Sequence, residues 1–216
     1  MRILFISDLH GQCSAVAALP KADLLIVGGD FTQFGSVEDV AAVLHSVHKR
    51  PEPCLAVLGN LDPETANALL DEQDMSLHLQ QRQFGGRRLF GIGGANATPF
   101  NTPYEWGDDD MAAQLAASHS NAGPLDILVS HAPPRNSGAD RIGNGSAVGS
   151  QTVADLVQRR LPPLVLCGHI HEAAGIYAFA GAIVVNPGPF GPQGHFACID
   201  WPDGQDAPAA WLAQCR

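Results

Sequence analysis

The chain predicts an α/β fold. Apolar runs of strand length alternate with stretches of helical periodicity along its 216 residues. Five of those runs end on a cluster of oxygen and nitrogen ligands. Asp8-Leu9-His10 follows the run 2–7, Gly28-Gly29-Asp30 follows 24–27, and Gly59-Asn60-Leu61-Asp62 follows 54–58. Ser130-His131 closes the run 126–129, and Gly168-His169-Ile170-His171 follows 164–167. In open α/β sheets, ligands bind outside the carboxyl ends of the strands. Five such ends converging would build one polynuclear metal site.

Taken in order, strand 2–7 leads to a helix near 12–19, and strand 24–28 to a helix near 37–49. In that helix Val37, Val40, Ala41, Val43, Leu44 and Val47 recur at helical spacing. Strand 54–58 leads to a helix near 63–72, with Pro63 suited to its first turn. Gly85-Gly86 turns the chain into strand 88–92, and 93–107 reads as a long irregular stretch. A helix near 109–118 starts on Asp108, Asp109 and Asp110, where the helix dipole favours acids. Strand 126–130, a loop over 132–147, a helix at 150–160 and strand 164–167 come next. The tail reads as an antiparallel meander of strands near 175–179, 182–186, 195–200 and 208–212. The ligand candidates run from residue 8 to residue 171, so division of the chain would break the site; residues 1–216 are expected to form one domain.

Hydrophobic residues are 45% and charged residues 16% of the chain, the composition of a packed globule. The net charge of −10 repels nucleic acid polymers and anionic membranes, so neither is expected as a partner. No run approaches a membrane span and no signal peptide is visible, which points to the cytoplasm. Five widely spaced cysteines without a CxxC fit reduced thiols in that compartment.

Taken singly, each ligand cluster is weak: a Gly-Asp ends many strands as a turn, and a lone His after a strand is commonly structural. Their joint occurrence at five strand ends carries the argument. A mixed imidazole and carboxylate set without thiolate suits two divalent transition metal ions, Mn2+, Fe2+, Ni2+, Co2+ or Zn2+. Such pairs sit about 3.5–4 Å apart and hold both an attacking and a phosphoryl oxygen. Asp30, on a tight turn, is the candidate bridging carboxylate.

Asp8-x-His10, Gly29-Asp30, Gly59-Asn60-x-Asp62, His131 and Gly168-His169-x-His171 together resemble the calcineurin-like metallophosphoesterase superfamily. The strings Ser130-His131-Ala132-Pro133-Pro134 and Val185-Asn186-Pro187-Gly188-Pro189 resemble a small prokaryotic branch of predicted phosphoesterases within it. The resemblance implies two mixed β-sheets packed as a sandwich and flanked by helices. It implies one metal on Asp8, His10, Asp30 and His171, and another on Asp30, Asn60, His131 and His169. Asp8, Asp30, Asn60 and His131 would act in catalysis through a hydroxide held between the metals.

One departure stands out. Many members carry His after the Asn to protonate the leaving group; here that residue is Leu61, which has no proton to give. A phosphodiesterase acting on small phosphodiesters or nucleotide-like esters is therefore expected. A phosphomonoesterase or nucleotidase, or a non-catalytic scaffold on the same fold, stays open. Asp62 is either a helper acid or a cap for the following helix. Asn96 and Arg135 are candidate substrate contacts, Arg141 is a further loop cation, and His195 reads as structural.

Overall fold

The computed structural model describes residues 1–118 and 123–215. Strands β1 (Arg2–Ile6), β2 (Leu24–Val27) and β3 (Cys54–Ala56) run parallel in one sheet. This sheet is completed by β12 (His195–Asp200) and β13 (Ala209–Gln214), giving the order β13-β12-β1-β2-β3. The second sheet has the order β10-β11-β9-β8-β5-β4. Its strands are β4 (Gln81–Phe84), β5 (Arg87–Ile92), β8 (Ile127–Ser130), β9 (Leu164–Cys167), β10 (Gly175–Phe179) and β11 (Ala182–Asn186). Both sheets are mixed. Strands β5, β8, β9 and β11 are mutually parallel, while the hairpin partners β4 and β10 are antiparallel.

Period-two alternation sorts the strand residues between two packed layers. Ile3, Phe5 and Ile26 from one sheet meet Ile127, Val129 and Leu166 from the other in a dry inter-sheet cluster. The alternate residues Leu4, Ile6, Leu128 and Val165 cluster instead with helix residues. Those residues come from α1 (Val37–Val47), as Val40 and Leu44, and from α4 (Gln151–Arg160), as Val153 and Val157. The parallel strands are thus buried on both faces, which is why they read as unbroken apolar runs. A capping box between Ser36 and Asp39 opens α1. Asp108, at the start of α3 (Asp108–Ala117), accepts hydrogen bonds from Ser150 Oγ (2.6 Å) and Thr152 N (3.0 Å), tying α3 to the start of α4.

Several expected elements take another form. The helix near 12–19 is a 3-10 turn over Ser14–Ala18. The helix near 63–72 begins as a 3-10 turn, Glu64–Ala66, before α2 (Asn67–Glu72), with Pro63 just ahead of it. β3 stops at Ala56, two residues short of Leu58. The stretch 93–107 holds a two-stranded parallel pair, β6 (Ala95–Asn96) and β7 (Glu105–Trp106). The tail is not one meander. β10 and β11 finish the second sheet, then α5 (Phe190–Gln193) carries the chain across to the first, where β12 and β13 form a hairpin beside β1. Phe190 N donates to Ser7 O at 2.9 Å at that crossing. Strand periodicity records which faces are buried, not which sheet a strand joins.

Candidate metal centre

The carboxyl ends of β1, β2 and β3 deliver Asp8, Asp30 and Asn60, and those of β8 and β9 deliver His131, His169 and His171. The site therefore draws on both sheets. Asp8 (φ 58°), His10 (φ 49°), Asp30 (φ 51°) and His169 (φ 69°) all adopt left-handed backbone conformations. This region is uncommon for residues with a Cβ and clusters at functional sites. Backbone bonds hold the loops in place: Asp8 N donates to Gly29 O, His10 N to Asp30 O (both 2.9 Å), and Gly168 N to His131 O (3.1 Å). The glycines ahead of the ligands leave room for the next loop. A Cβ at Gly59 would collide with the Asp30 carboxylate, and one at Gly168 with Ser7 and Asp8.

Two groups of side chains converge tightly enough to share an ion, Asp8 with His10 and His171, and Asp8 with Asp30 and His131. Within them His10 Nε2 lies 3.2 Å from His171 Nε2, and Asp8 Oδ1 lies 3.3 Å from His171 Nε2. Asp30 Oδ1 lies 3.5 Å from His131 Nε2. Asp8 thus belongs to both groups, whereas the sequence pointed to Asp30 as the shared carboxylate. Asn60 joins through its Oδ1, 3.0 Å from His131 Nε2. The His169 ring sits beside His131 with centroids 5.1 Å apart.

The donor chemistry fits divalent metal ions. His131 Nδ1 lies 2.8 Å from Gly28 O, and a carbonyl only accepts, so Nδ1 carries the proton. Nε2 is then a bare lone pair facing Asn60 Oδ1 and Asp30 Oδ1. Acceptors facing acceptors in a buried site are relieved by a cation. Among the described residues the ion-pair partners of Asp8 and Asp30 are imidazoles, not Lys or Arg.

Burial, then the nearby charges of Asp8 and Asp62, pushes the Asp30 carboxyl well above its usual range. For Asp8, burial raises the pKa, but the hydrogen bond from His171 and the imidazole charges outweigh it and hold the group low. Burial lowers His10 and His131, and takes His169 down to about 3 with help from His131. His171 alone is raised, by its hydrogen bond to Asp8. Neutral imidazoles are the form that binds metal.

Asp62 is buried beneath the site. It accepts from Gly59 N (2.9 Å), Phe31 N (3.1 Å), Thr32 N (2.8 Å) and Thr32 Oγ1 (3.0 Å), bracing the Asp30 turn against the Asn60 turn. The following 3-10 turn has no side-chain cap, so the expected capping role falls away. Burial takes its carboxyl up to about 6, against backbone donors that favour the ionised form. His195 lies on β12, outside both groups. The five cysteines are free thiols.

A cleft of about 720 Å³ opens beside His169 and His171. Asn96 and exposed Arg135 line it with Thr98, Phe100, Ile142 and Val148. Asn96 Nδ2 donates to Val148 O at 3.2 Å. Arg141 does not line this cleft and donates to Gly145 O within its own loop at 2.9 Å. Sequence reasoning missed three supports. Asn186 Nδ2 donates to Ile170 O at 2.8 Å, holding the His169–His171 loop. Thr102 and Glu105 stand behind Asn60. Asn186 belongs to a string singled out in the sequence, whereas Thr102 and Glu105 lie in the stretch read as irregular.

The model of the calcineurin-like phosphoesterase family matches residues 1–173. An uncharacterized protein of Methanocaldococcus jannaschii, MJ1162, is 34% identical over 195 residues, covering 88% of each chain. Human metallophosphoesterase domain-containing protein 1 is 26% identical over 215 residues, covering 86% of this chain and 65% of that protein. Among solved structures, TT1561 of Thermus thermophilus superposes with a TM-score of 0.73 at 20% identity, over 100% of this chain and 99% of that one. A 5'-nucleotidase described as putative, from Staphylococcus aureus, gives 0.58 at 14% identity, over 100% of this chain and 54% of that one. No helix among the described residues is long and apolar enough to cross a membrane.

Proposed function

The chain belongs to the calcineurin-like phosphoesterase family, and on that premise we propose that it is a dinuclear metal-dependent hydrolase of small phosphodiesters or nucleotide-like esters. The observation that carries the reading is the convergence of two ligand groups between the carboxyl ends of both sheets and beside an open cleft, with Asp30 close to Asp8 on one side and to His131 on the other. Asp8, His10, Asp30 and His171 would hold one ion, and Asp30, Asn60, His131 and His169 the other. The metals are drawn from Mn2+, Fe2+, Ni2+, Co2+ and Zn2+, with Mn2+ the first to try. When bound, two such ions supply Lewis acidity toward phosphoryl oxygens and an activated water. Ligands drawn from strands of both sheets also support the reading of residues 1–216 as one domain.

The chain's own residues do the rest. Gly28 O holds the His131 proton on Nδ1 and keeps Nε2 free as a ligand. Arg135, exposed and lining the cleft, would grip a non-bridging phosphate oxygen. Phe100, Ile142 and Val148 offer apolar contact to the organic part of the ester. Leu61 gives no proton to a departing alkoxide, which favours diesters whose leaving groups depart unaided. The test is a screen of metal-reconstituted protein against mono- and diesters. Turnover of activated diesters above alkyl monoesters is expected; no turnover of any phosphate ester with any of the five metals would overturn the reading. The acidic chain, with a net charge of −10, is read as an enzyme of small molecules in the cytoplasm, not of nucleic acid polymers.

A further inference from the structure

Asn60 can serve as a ligand only through its oxygen, yet the two ends of an amide are alike in size. Its hydrogen-bond partners alone decide which end faces the site. Here Asn60 Nδ2 donates to Thr102 Oγ1 at 2.9 Å, leaving Oδ1 toward His131 Nε2. Thr102 has one hydroxyl proton, and its Oγ1 lies 2.6 Å from Glu105 Oε1. A carboxylate only accepts, so the proton goes to Glu105 and Thr102 must present a lone pair to Asn60.

The same carboxylate holds the cleft wall. Glu105 Oε1 also accepts from Thr98 Oγ1 (2.5 Å) and Thr102 N (2.8 Å), and Oε2 accepts from Thr98 N (3.1 Å). Thr98 lines the cleft between Asn96 and Phe100. The loop 97–104 is closed at its base by the β6–β7 pair, where Ala95 faces Glu105, and by Tyr104 N donating to Asn60 O at 3.0 Å. We propose that Glu105 and Thr102 are positioning residues that fix the Asn60 amide with its oxygen toward the metal centre, and that Glu105, through Thr98, sets the cleft wall in the same register. The proposal rests on Asn60 being a metal ligand.

The experiment titrates Mn2+ alone into metal-stripped protein by calorimetry, alongside kcat and KM on bis(4-nitrophenyl) phosphate. Thr102→Val removes the hydroxyl at nearly constant volume. It should weaken one of two Mn2+ sites by about 10–100-fold, the usual cost of losing a partner behind a ligand, and Thr102→Ser should restore it. Thr98 N, Thr98 Oγ1, Thr102 N and Thr102 Oγ1 all donate to this carboxylate, so Glu105→Gln sets its NH2 group against at least one donor, loosens the hold on Thr102 and should weaken the same site. The double variant Thr102→Val/Glu105→Gln should be no worse than Thr102→Val, because the two act in one chain. Thr98→Ala should raise KM more than it lowers kcat and leave both Mn2+ sites intact. Near-ultraviolet circular dichroism of the metal-free variants checks folding, and Glu105→Gln carries the test where Thr102→Val does not fold. Wild-type Mn2+ affinity in both Thr102→Val and Glu105→Gln would overturn the proposal. Asn60→Ala separates the two levels. If it weakens one Mn2+ site while those variants do not, only the positioning role fails. If Asn60→Ala binds as wild type, the ligand assignment fails and the positioning role with it.

Discussion

Asp30 and Asp8 make different demands of their surroundings. Asp8 is held ionised by imidazoles even when metal-free, whereas burial and two neighbouring carboxylates drive Asp30 toward its neutral form. Asp30 is thus the carboxylate that most needs cations to ionise. Asp30→Asn is expected to lose at least one equivalent of tightly bound Mn2+ by elemental analysis, while His195→Gln, outside both groups, keeps the wild-type stoichiometry. Equal metal content in the two variants would overturn this assignment. Position 61 gives a second residue-level expectation. Leu61 is half-buried, and its N–H donates to Asp30 Oδ1 at 2.9 Å, so its backbone sits against the ligands. Leu61→His introduces a proton donor, and general acid assistance is typically worth about 10²–10⁴-fold. The ratio of kcat/KM for an alkyl ester to that for an aryl ester should rise in the variant; an unchanged ratio would mean position 61 does not serve the leaving group. The ligand candidates were legible because each follows an apolar run directly. Thr102 and Glu105 were not, because their role depends on a loop folding back onto Asn60 from some forty residues downstream, as the 42-residue separation of the Asn60–Thr102 bond records.

The elements that frame the site differ in how openly the sequence declares them. Doubly buried strands such as β8 and β9 announce themselves by composition alone. The edge strand β4, Gln81-Arg82-Gln83-Phe84, has almost no apolar signal and exists because β5 pairs with it. The β6–β7 pair is two residues long on each side and has no period to detect. Its loop is anchored near its base by His78, whose Nδ1 accepts from Gly93 N at 3.0 Å and whose Nε2 meets Tyr104 OH at 3.1 Å. Accepting at Nδ1 requires a neutral ring, and burial takes the pKa down to about 4 from 6.5. The unfolded chain therefore binds this proton more readily than the folded one. Stability from this residue is complete above about pH 6.5 and is lost as pH falls toward 4. Metal-free His78→Gln should show a shallower fall in unfolding midpoint between those pH values than wild type. Parallel curves would show that another group carries the acid sensitivity.

At the scale of the molecule, the alternation of strands and helices foretold two mixed sheets flanked by helices only once the ligand strings were matched to a family. Periodicity alone could not divide the strands between sheets, and it merged the tail into one meander. That division governs how metal and fold are linked. Asp8, Asp30 and Asn60 come from the first sheet, and His131, His169 and His171 from the second, so bound ions would tie the two sheets together at one end of the shared inter-sheet core. Because ligands so placed meet only in the folded chain, metal should stabilise the native state by mass action, by about 2.7 kcal/mol per site at a free concentration one hundred times Kd. Leu166→Ala cuts a fully buried side chain from that core beneath β9 and should cost about 2–5 kcal/mol. The damage lies between the sheets and leaves every ligand in place. Saturating Mn2+ should therefore raise the unfolding midpoint of wild type and Leu166→Ala by a similar increment, from a lower start in the variant. In Asp30→Asn the increment should shrink while the metal-free midpoint stays level or rises, because a buried carboxylate has been replaced by a neutral group. The measurement is thermal unfolding of the three proteins with chelator and with Mn2+. A wild-type midpoint that ignores Mn2+, or an undiminished increment in Asp30→Asn, would sever the proposed link between this centre and the packing of the two sheets.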